Sequence, residues 1–255
     1  MAKLIGPFKI TGKLDDLTFY ETADGTIVRM CGKTGITKQQ FKENPIFDRI
    51  RQQSTEFGLC SRKAKRFKLL VQPFYTYAQE ASTFGRCIGL LQAILKEDAI
   101  NPIGSRHIYV GLQTPTGLGF LIGFEGNSRR PLSAVLREEL TFDWKSLQLN
   151  LKVISPSIAI DWPELSTQVE IQLAVANWNC LGDTHETHYS NSIVVSNRTE
   201  EVVLDFKINA PQEQDLWLCY IHFKFSYTAA YGKVKVLHNK FNTTSLIGCL
   251  SFGRK

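Results

Sequence analysis

Two histidines three positions apart have the strongest chemical character in the chain. His185 and His188 follow Cys180 in a polar segment that also carries Asp183 and Glu186. Imidazole, thiolate and carboxylate groups are the ligands that zinc prefers, so this segment is a candidate metal site. The spacing differs from the His-Glu-x-x-His signature, and structural zinc usually takes four well-spaced ligands. We therefore interpret the segment as a polar connection between strands and predict no bound metal.

The usual sequence signatures of catalysis are missing. Gly117, Gly119 and Gly123 form a glycine-rich segment, but it lacks the Lys-Ser/Thr pair of a phosphate loop and opens no predicted helix. The chain has no Gly-x-Ser-x-Gly elbow, and His107, His222 and His238 are isolated, so each is expected to be a structural side chain rather than a base. We therefore predict that the protein is not an enzyme and uses no cofactor.

Five basic residues within seven positions could bind phosphate groups. They are Arg62, Lys63, Lys65, Arg66 and Lys68. Residues 1–140 hold 20 Lys and Arg against 13 Asp and Glu, whereas residues 141–255 hold 10 against 11. A basic half joined to a neutral half suggests an acidic partner for the first half, such as an acidic protein surface or a nucleic acid bound through its backbone without sequence preference. The alternative is a solvated helix face that contributes only solubility.

A long amphipathic helix must position this basic cluster. Apolar or small residues recur every three or four positions from Phe47 to Val71, which is the helical period. Asn44 can cap the helix and Pro45 suits its first position, so we predict a helix over residues 45–72. Phe57 lies in the middle of the stripe. We expect it to be buried and Phe57→Ala to cost about 3–5 kcal/mol of stability.

The rest of the chain indicates an α+β protein. The helical period continues over residues 74–98, which predicts a second helix antiparallel to the first. Residues 107–112 and 119–124 read as short strands or extended links. From residue 142 the period changes to two, with six to eight short strands and no helical pattern between them, which predicts an antiparallel β-sandwich. We place a basic hairpin-plus-helical domain at residues 1–140 and a β-sandwich domain at 141–255.

An N-terminal β-hairpin is predicted ahead of the helices. Residues 17–22 and 26–30 are rich in strand formers, and the intervening Asp24-Gly25 favours a turn. The segment carries more apolar surface than two short strands can cover alone. This apolar surface could be covered by the chain's own helices or by another copy of the protein, and the sequence leaves both possibilities open. For self-association the candidate residues are Phe8, Ile10, Phe19, Tyr20 and Ile27.

The chain as a whole resembles a family of uncharacterised bacterial proteins, over roughly residues 6–250. The resemblance implies an architecture of hairpin, helices and β-sandwich, and it supplies no activity and no catalytic residues. The residues that carry it are Gly12, Leu17-Thr18-Phe19-Tyr20, Pro45-x-Phe47, Arg49-x-Arg51, Glu56-Phe57-Gly58, Asn101-Pro102-x-Gly104-x-Arg106, Gly123-Phe124-Glu125, Asn127 and Asn239-x-x-Phe241-Asn242.

These observations favour a non-enzymatic structural or protein-interaction protein that self-assembles or binds another protein. The alternative is a sequence-independent nucleic-acid-binding protein that uses the basic helix face. The N-terminal residues do not form a signal peptide, and no apolar run approaches the ~20 residues of a membrane helix. Together with six scattered cysteines, this predicts a cytoplasmic protein without a membrane partner.

Overall fold

The computed structural model describes residues 2–4, 10–22, 25–32, 35–151, 153–212 and 215–252. Contacts divide the chain into two compact units, Met1–Asp48 and Arg49–Lys255. This division lies well before the boundary that the sequence places near residue 140. The physical reason is that the helices after Arg49 and the C-terminal strands bury their side chains in one shared core.

The N-terminal unit is an antiparallel sheet of four strands, followed by one short helix. The strand order is β1-β4-β3-β2, so the predicted hairpin of β3 and β4 forms the centre of the sheet. A capping box between Thr37 and Gln40, which lie three positions apart, begins the helix. The elements are β1 (Ala2–Leu4), β2 (Gly12–Leu14), β3 (Leu17–Thr22), β4 (Gly25–Met30) and α1 (Lys38–Glu43).

Helices make up the first part of the second unit. The predicted helix over residues 74–98 is two helices, because Ala78 leaves the helical conformation and Thr83 bonds backbone groups of Glu80 and Gly126. Residues 107–112, which are expected to be extended, contain the short helix Ile108–Gly111, and residues 120–123 form turns after a second short helix. Thr114 caps α6 and Pro115 occupies its first turn. The helices are α2 (Asp48–Leu69), α3 (Gln72–Tyr77), α4 (Thr83–Lys96), α5 (Ile108–Gly111), α6 (Pro115–Gly119), α7 (Leu132–Val135) and α8 (Pro156–Ala159).

A six-stranded antiparallel sheet forms the second part of this unit. Its two long central strands, β8 and β12, pair with each other over ten residues, from Gln168↔Ser226 to Asn177↔Trp217. β9 and β10 pair with β8, and β13 and β14 pair with β12. The strands are β8 (Gln168–Asn179), β9 (Thr184–Tyr189), β10 (Ile193–Ser196), β12 (Leu216–Thr228), β13 (Val234–Val236) and β14 (Thr243–Ser251).

Both faces of the six-stranded sheet are buried, and different elements cover them. One face packs its Trp178 and Tyr220 against side chains of α2, α3 and α4. The other face packs with irregular segments, α7, α8 and two short ladders. The α+β class with an antiparallel C-terminal sheet is confirmed, and helices take the place of a second full sheet on the first face. The ladders are β5 (Phe142–Asp143) with β6 (Gln148–Leu149), and β7 (Val153–Ile154) with β11 (Val202–Val203).

The predicted stripe of α2 is buried only over its second half. Cys60, Ala64 and Phe67 are buried, but Phe57 is 50% exposed, so the prediction that Phe57 belongs to the core is wrong. The inward-facing residue at that turn is Glu56, which is only 6% exposed. The helix presents Glu56 to an arginine partner, and this orientation turns the neighbouring phenylalanine towards solvent.

Candidate interaction surfaces

One face of the N-terminal sheet carries apolar side chains that are not buried. Leu14 pairs with Leu17, which pairs with Met30, so the three side chains form a row across β2, β3 and β4. Phe19 and Val28 form the next row on the same face, because side chains two positions apart along a strand share a face. Leu14 is 63% exposed and Met30 is 74% exposed, and none of the five is buried. We call these five residues the apolar sheet face.

The predicted self-association residues fall in different places. Phe19 lies on the apolar sheet face, whereas Tyr20 and Ile27 pair with each other on the opposite face. There the guanidinium of Arg29 lies 5.7 Å from the centre of the Tyr20 ring. Ile10 is exposed, and Phe8 lies outside the described residues.

Three of the five predicted phosphate-binding residues form an exposed basic face on α2. Arg62, Lys65 and Arg66 are exposed and recur at helical spacing, so they project from the same side of the helix. They line a shallow cavity of about 360 Å³ together with Leu69 and Asp183. Within the described part of the chain they form no ion pair, and we call these three residues the α2 basic face.

The other two basic residues of the cluster are engaged in the fold. Lys63 donates from Nζ to Asp183 Oδ1 at 2.6 Å and to the carbonyl oxygen of Cys180, so it fastens α2 to the β8–β9 turn. Lys68 donates to Gln79 Oε1 at 2.9 Å. These two cations are therefore less available for a phosphate backbone than the α2 basic face.

A buried ion pair joins α2 to the loop after α4. Glu56 accepts hydrogen bonds from Arg106 Nε at 2.8 Å and Arg106 Nη2 at 2.6 Å, and a third from the Gly104 amide at 2.8 Å. The hydrogen bond from Arg106 is the main cause that holds the pKa of Glu56 below its ordinary value. Gly104 has φ +93°, and a Cβ there would lie 2.7 Å from Gln52 Cγ, so both conformation and space require glycine.

Asp98 organises the same loop from the other end. Burial raises its pKa, but hydrogen bonds from the Asn101 side chain and the backbone amides of His107, Asn101 and Ile100 outweigh burial and lower the pKa to about 2. Every acceptor position on this carboxylate faces a donor of the loop itself. The Asn101-to-Arg106 motif is therefore explained by loop structure, together with Glu56.

A wide groove in the second unit has a partly buried carboxylate on its wall. Glu125 accepts hydrogen bonds from Ser245 Oγ at 2.9 Å and from the Leu132 amide at 3.0 Å, and it lines a groove of about 590 Å³. Burial raises the pKa of Glu125. Since its donors come from β14 and from the start of α7, the carboxylate joins these two elements across the groove.

The two histidines lie in a strand rather than in the predicted polar connection between strands. Residues Thr184–Tyr189 form β9, and side chains three apart on a strand point to opposite faces, so His185 and His188 diverge. His188 Nε2 lies 2.7 Å from Glu186 Oε1, and Glu186 also accepts a hydrogen bond from the Gln212 amide. Among the described residues, no group of three or more His, Cys, Asp or Glu side chains is placed to hold a metal ion.

Sequence reasoning missed two features of these surfaces. One is the buried Glu56, because helical periodicity alone does not reveal that a carboxylate is paired inside the protein with a distant Arg106. Sequence reasoning also treated the C-terminal half as uniformly neutral. A signal was present, since no Asp or Glu follows Asp215 while six Lys and Arg do.

In the described chain, no helix has the length and apolar composition needed to cross a membrane. Comparisons with protein-family models, with curated proteins and with solved structures found no match to this chain.

Proposed function

We propose that this chain is a non-enzymatic, self-associating protein and that its N-terminal sheet is the assembly element. The observation that carries the proposal is the apolar sheet face. Between residues 10 and 48, no described hydrophobic side chain is buried. A small sheet without a buried core is marginally stable in water, so it gains stability when another surface covers it.

A second copy of the chain is the partner that this sheet fits. In the described sheet, β2 pairs only with β3, so the other edge of β2 offers unpaired main-chain groups to a neighbouring strand. A two-fold contact through the face of the sheet, rather than through its edge, would place two identical apolar faces against each other. Burial of this area at ~25 cal/mol per Å² contributes several kcal/mol to association.

Deletion of residues 1–32 is expected to leave a folded protein of lower assembly state. The second unit has its own core and does not require the sheet for burial of that core. Light scattering coupled to size exclusion measures the mass, and circular dichroism checks the fold. A full-length protein that is monomeric at high concentration would contradict the proposal.

A double substitution isolates the apolar sheet face from the rest of the deleted segment. Leu14→Glu with Met30→Glu places two carboxylates on that face and should dissociate the assembly. Ile158→Glu with Leu165→Glu is the matched control, because these residues of the second unit are 68% and 69% exposed. Equal loss of mass in both pairs would show that added charge, rather than this face, controls association.

A second candidate function is sequence-independent binding of nucleic acid by the α2 basic face. The observation that favours it is the exposure of Arg62, Lys65 and Arg66 on one side of the helix. Because Asp183 shares their cavity, the positive potential there is reduced, and this candidate stands behind self-association. Contacts from this face would reach backbone phosphates alone, which carry no sequence information.

Replacement of Arg62, Lys65 and Arg66 by Gln tests this candidate. Binding to any DNA or RNA should weaken alike for all sequences, and the dependence of log affinity on log salt should flatten by about 2 to 3 units. Fluorescence anisotropy across a salt series measures both quantities. Lys63→Gln should instead lower the melting temperature, since it releases the β8–β9 turn. Absence of binding by the unaltered protein at low salt would rule the candidate out.

A further inference from the structure

At the end of β12, the six-stranded sheet narrows to a two-stranded ribbon of β12 and β13. Its pairs are Ser226↔Val236, Tyr227↔Lys235 and Thr228↔Val234. All three residues of β13 are exposed, so this part of the ribbon is not covered on either face. Its base is anchored, because Leu237 is buried and its amide donates to the Phe225 carbonyl at 2.9 Å.

The tip of the ribbon presents one tyrosine to solvent. Tyr231 is fully exposed and has φ +61°, and Gly232 follows at φ +73°. The Ala229 amide donates to the Lys233 carbonyl at 2.8 Å, which closes the turn around these two residues. An ordered turn with a left-handed tyrosine displays a flat aromatic ring that packs on nothing in its own unit.

Two exposed lysines follow this ring in the chain. Lys233 and Lys235 are exposed and alternate with Val234 and Val236, so the two lysines share one side of the strand. No acidic residue occurs anywhere after Asp215. On the neighbouring strand β8, Glu170 is already paired with Lys224 at 2.5 Å.

We propose that the ribbon of β12 and β13 binds single-stranded nucleic acid. Tyr231 stacks on a base, and Lys233 and Lys235 contact the phosphates on either side of it. An exposed ring beside cations is the combination used by proteins that bind single strands without sequence preference. Duplex DNA fits less well, because its bases are already stacked on each other and cannot stack on the tyrosine. This proposal does not depend on the α2 basic face or on self-association.

Two variants of the full chain separate stacking from charge. Tyr231→Ala should weaken binding of a fluorescent oligothymidylate of about 16 nucleotides roughly tenfold and leave the salt dependence unchanged. Lys233→Gln with Lys235→Gln should weaken it too and flatten the salt dependence by about 1.4 units. Fluorescence anisotropy over a salt series gives both values. Tyr231→Phe keeps the ring and should retain the affinity.

A charge-matched control is Lys145→Gln with Lys207→Gln. Both lysines are exposed, and Trp144 beside Lys145 contacts Trp217 at the opposite end of β12. This control should bind as the unaltered protein does. All these positions are exposed, so thermal unfolding should be unchanged in every variant.

Four outcomes would overturn the proposal. They are no binding of the oligothymidylate at low salt, unchanged affinity in Tyr231→Ala, tighter binding of a duplex of equal length, and equal competition by poly-glutamate. The last would identify the ribbon as a surface for acidic proteins. The variant with Arg62, Lys65 and Arg66 replaced by Gln could also bind the oligothymidylate more weakly. If the ribbon variants still show the expected losses, both surfaces contribute to binding.

Discussion

Truncation of Phe67 to alanine is expected to lower the free energy of unfolding by about 3–5 kcal/mol. Phe67 is fully buried and lies at the junction between α2 and the six-stranded sheet. Its ring centre is 5.6 Å from that of Phe124 and 5.7 Å from that of Trp178, both in edge-to-face arrangements. The substitution removes these contacts and leaves a cavity that a rigid helix cannot close. Urea unfolding measures the loss as a shift in midpoint.

The same substitution at Phe57 is the matched control. It deletes the same atoms from the same helix, but Phe57 is half exposed, so we expect a loss of less than about 1 kcal/mol. The large loss of stability that helical periodicity predicts for Phe57→Ala is therefore expected for Phe67→Ala instead. Equal losses at both positions would mean that the first half of α2 is covered in solution, for example by another copy of the chain.

Periodicity located the helix and the strands because it reports which residues share a face. It does not report which elements pack on that face. The stripe from Phe47 to Val71 was identified as one surface, yet only the part from Cys60 onward meets the sheet. The break between α3 and α4 escaped detection for a similar reason. Apolar residues keep the helical period through Ala78 and Ala81, while polar contacts of Thr83 interrupt the backbone.

The candidate surfaces could be predicted to different degrees. The basic cluster at residues 62–68 can be recognised from composition. The ion pair between Lys63 and Asp183 cannot, because Asp183 lies in a turn more than a hundred positions away in the sequence. Phe19 was recognised from strand-forming composition, whereas Leu14, Leu17 and Met30 join it only through the cross-strand register. Register is set by turns and pairing, which composition does not encode.

Replacement of Glu56 by glutamine is expected to destabilise the fold by roughly 3 kcal/mol. The variant keeps the size of the side chain and an oxygen for the Gly104 amide, but it leaves the charge of Arg106 inside the protein without its carboxylate. Arg106 has a side chain that is only 16% exposed, so water replaces the lost partner poorly. Glu164→Gln, at an exposed carboxylate, should leave the midpoint of urea unfolding unchanged.

A double-mutant cycle with Arg106→Gln separates the pair from its surroundings. Each single variant leaves one buried charge unpaired, whereas the double variant removes both charges. The double variant should therefore lose less stability than the sum of the two single losses, with a coupling of about 1–3 kcal/mol. Additive losses would show that the two side chains do not interact in the folded protein.

Acid titration provides an independent measurement of the same ion pair. Because the hydrogen bond from Arg106 holds the pKa of Glu56 below its ordinary value of 4.5, the unfolded chain takes up this proton first as the pH falls. The contribution of Glu56 is complete above pH 4.5 and decreases as the pH falls through the lower pKa of the folded state. Glutamine has no such proton, so the stability difference between the unaltered protein and Glu56→Gln should shrink below pH 4.5. A difference that stays constant from neutral pH to the acid limit would mean that the pKa of Glu56 is the same in the folded and unfolded states, so that Arg106 does not stabilise its carboxylate.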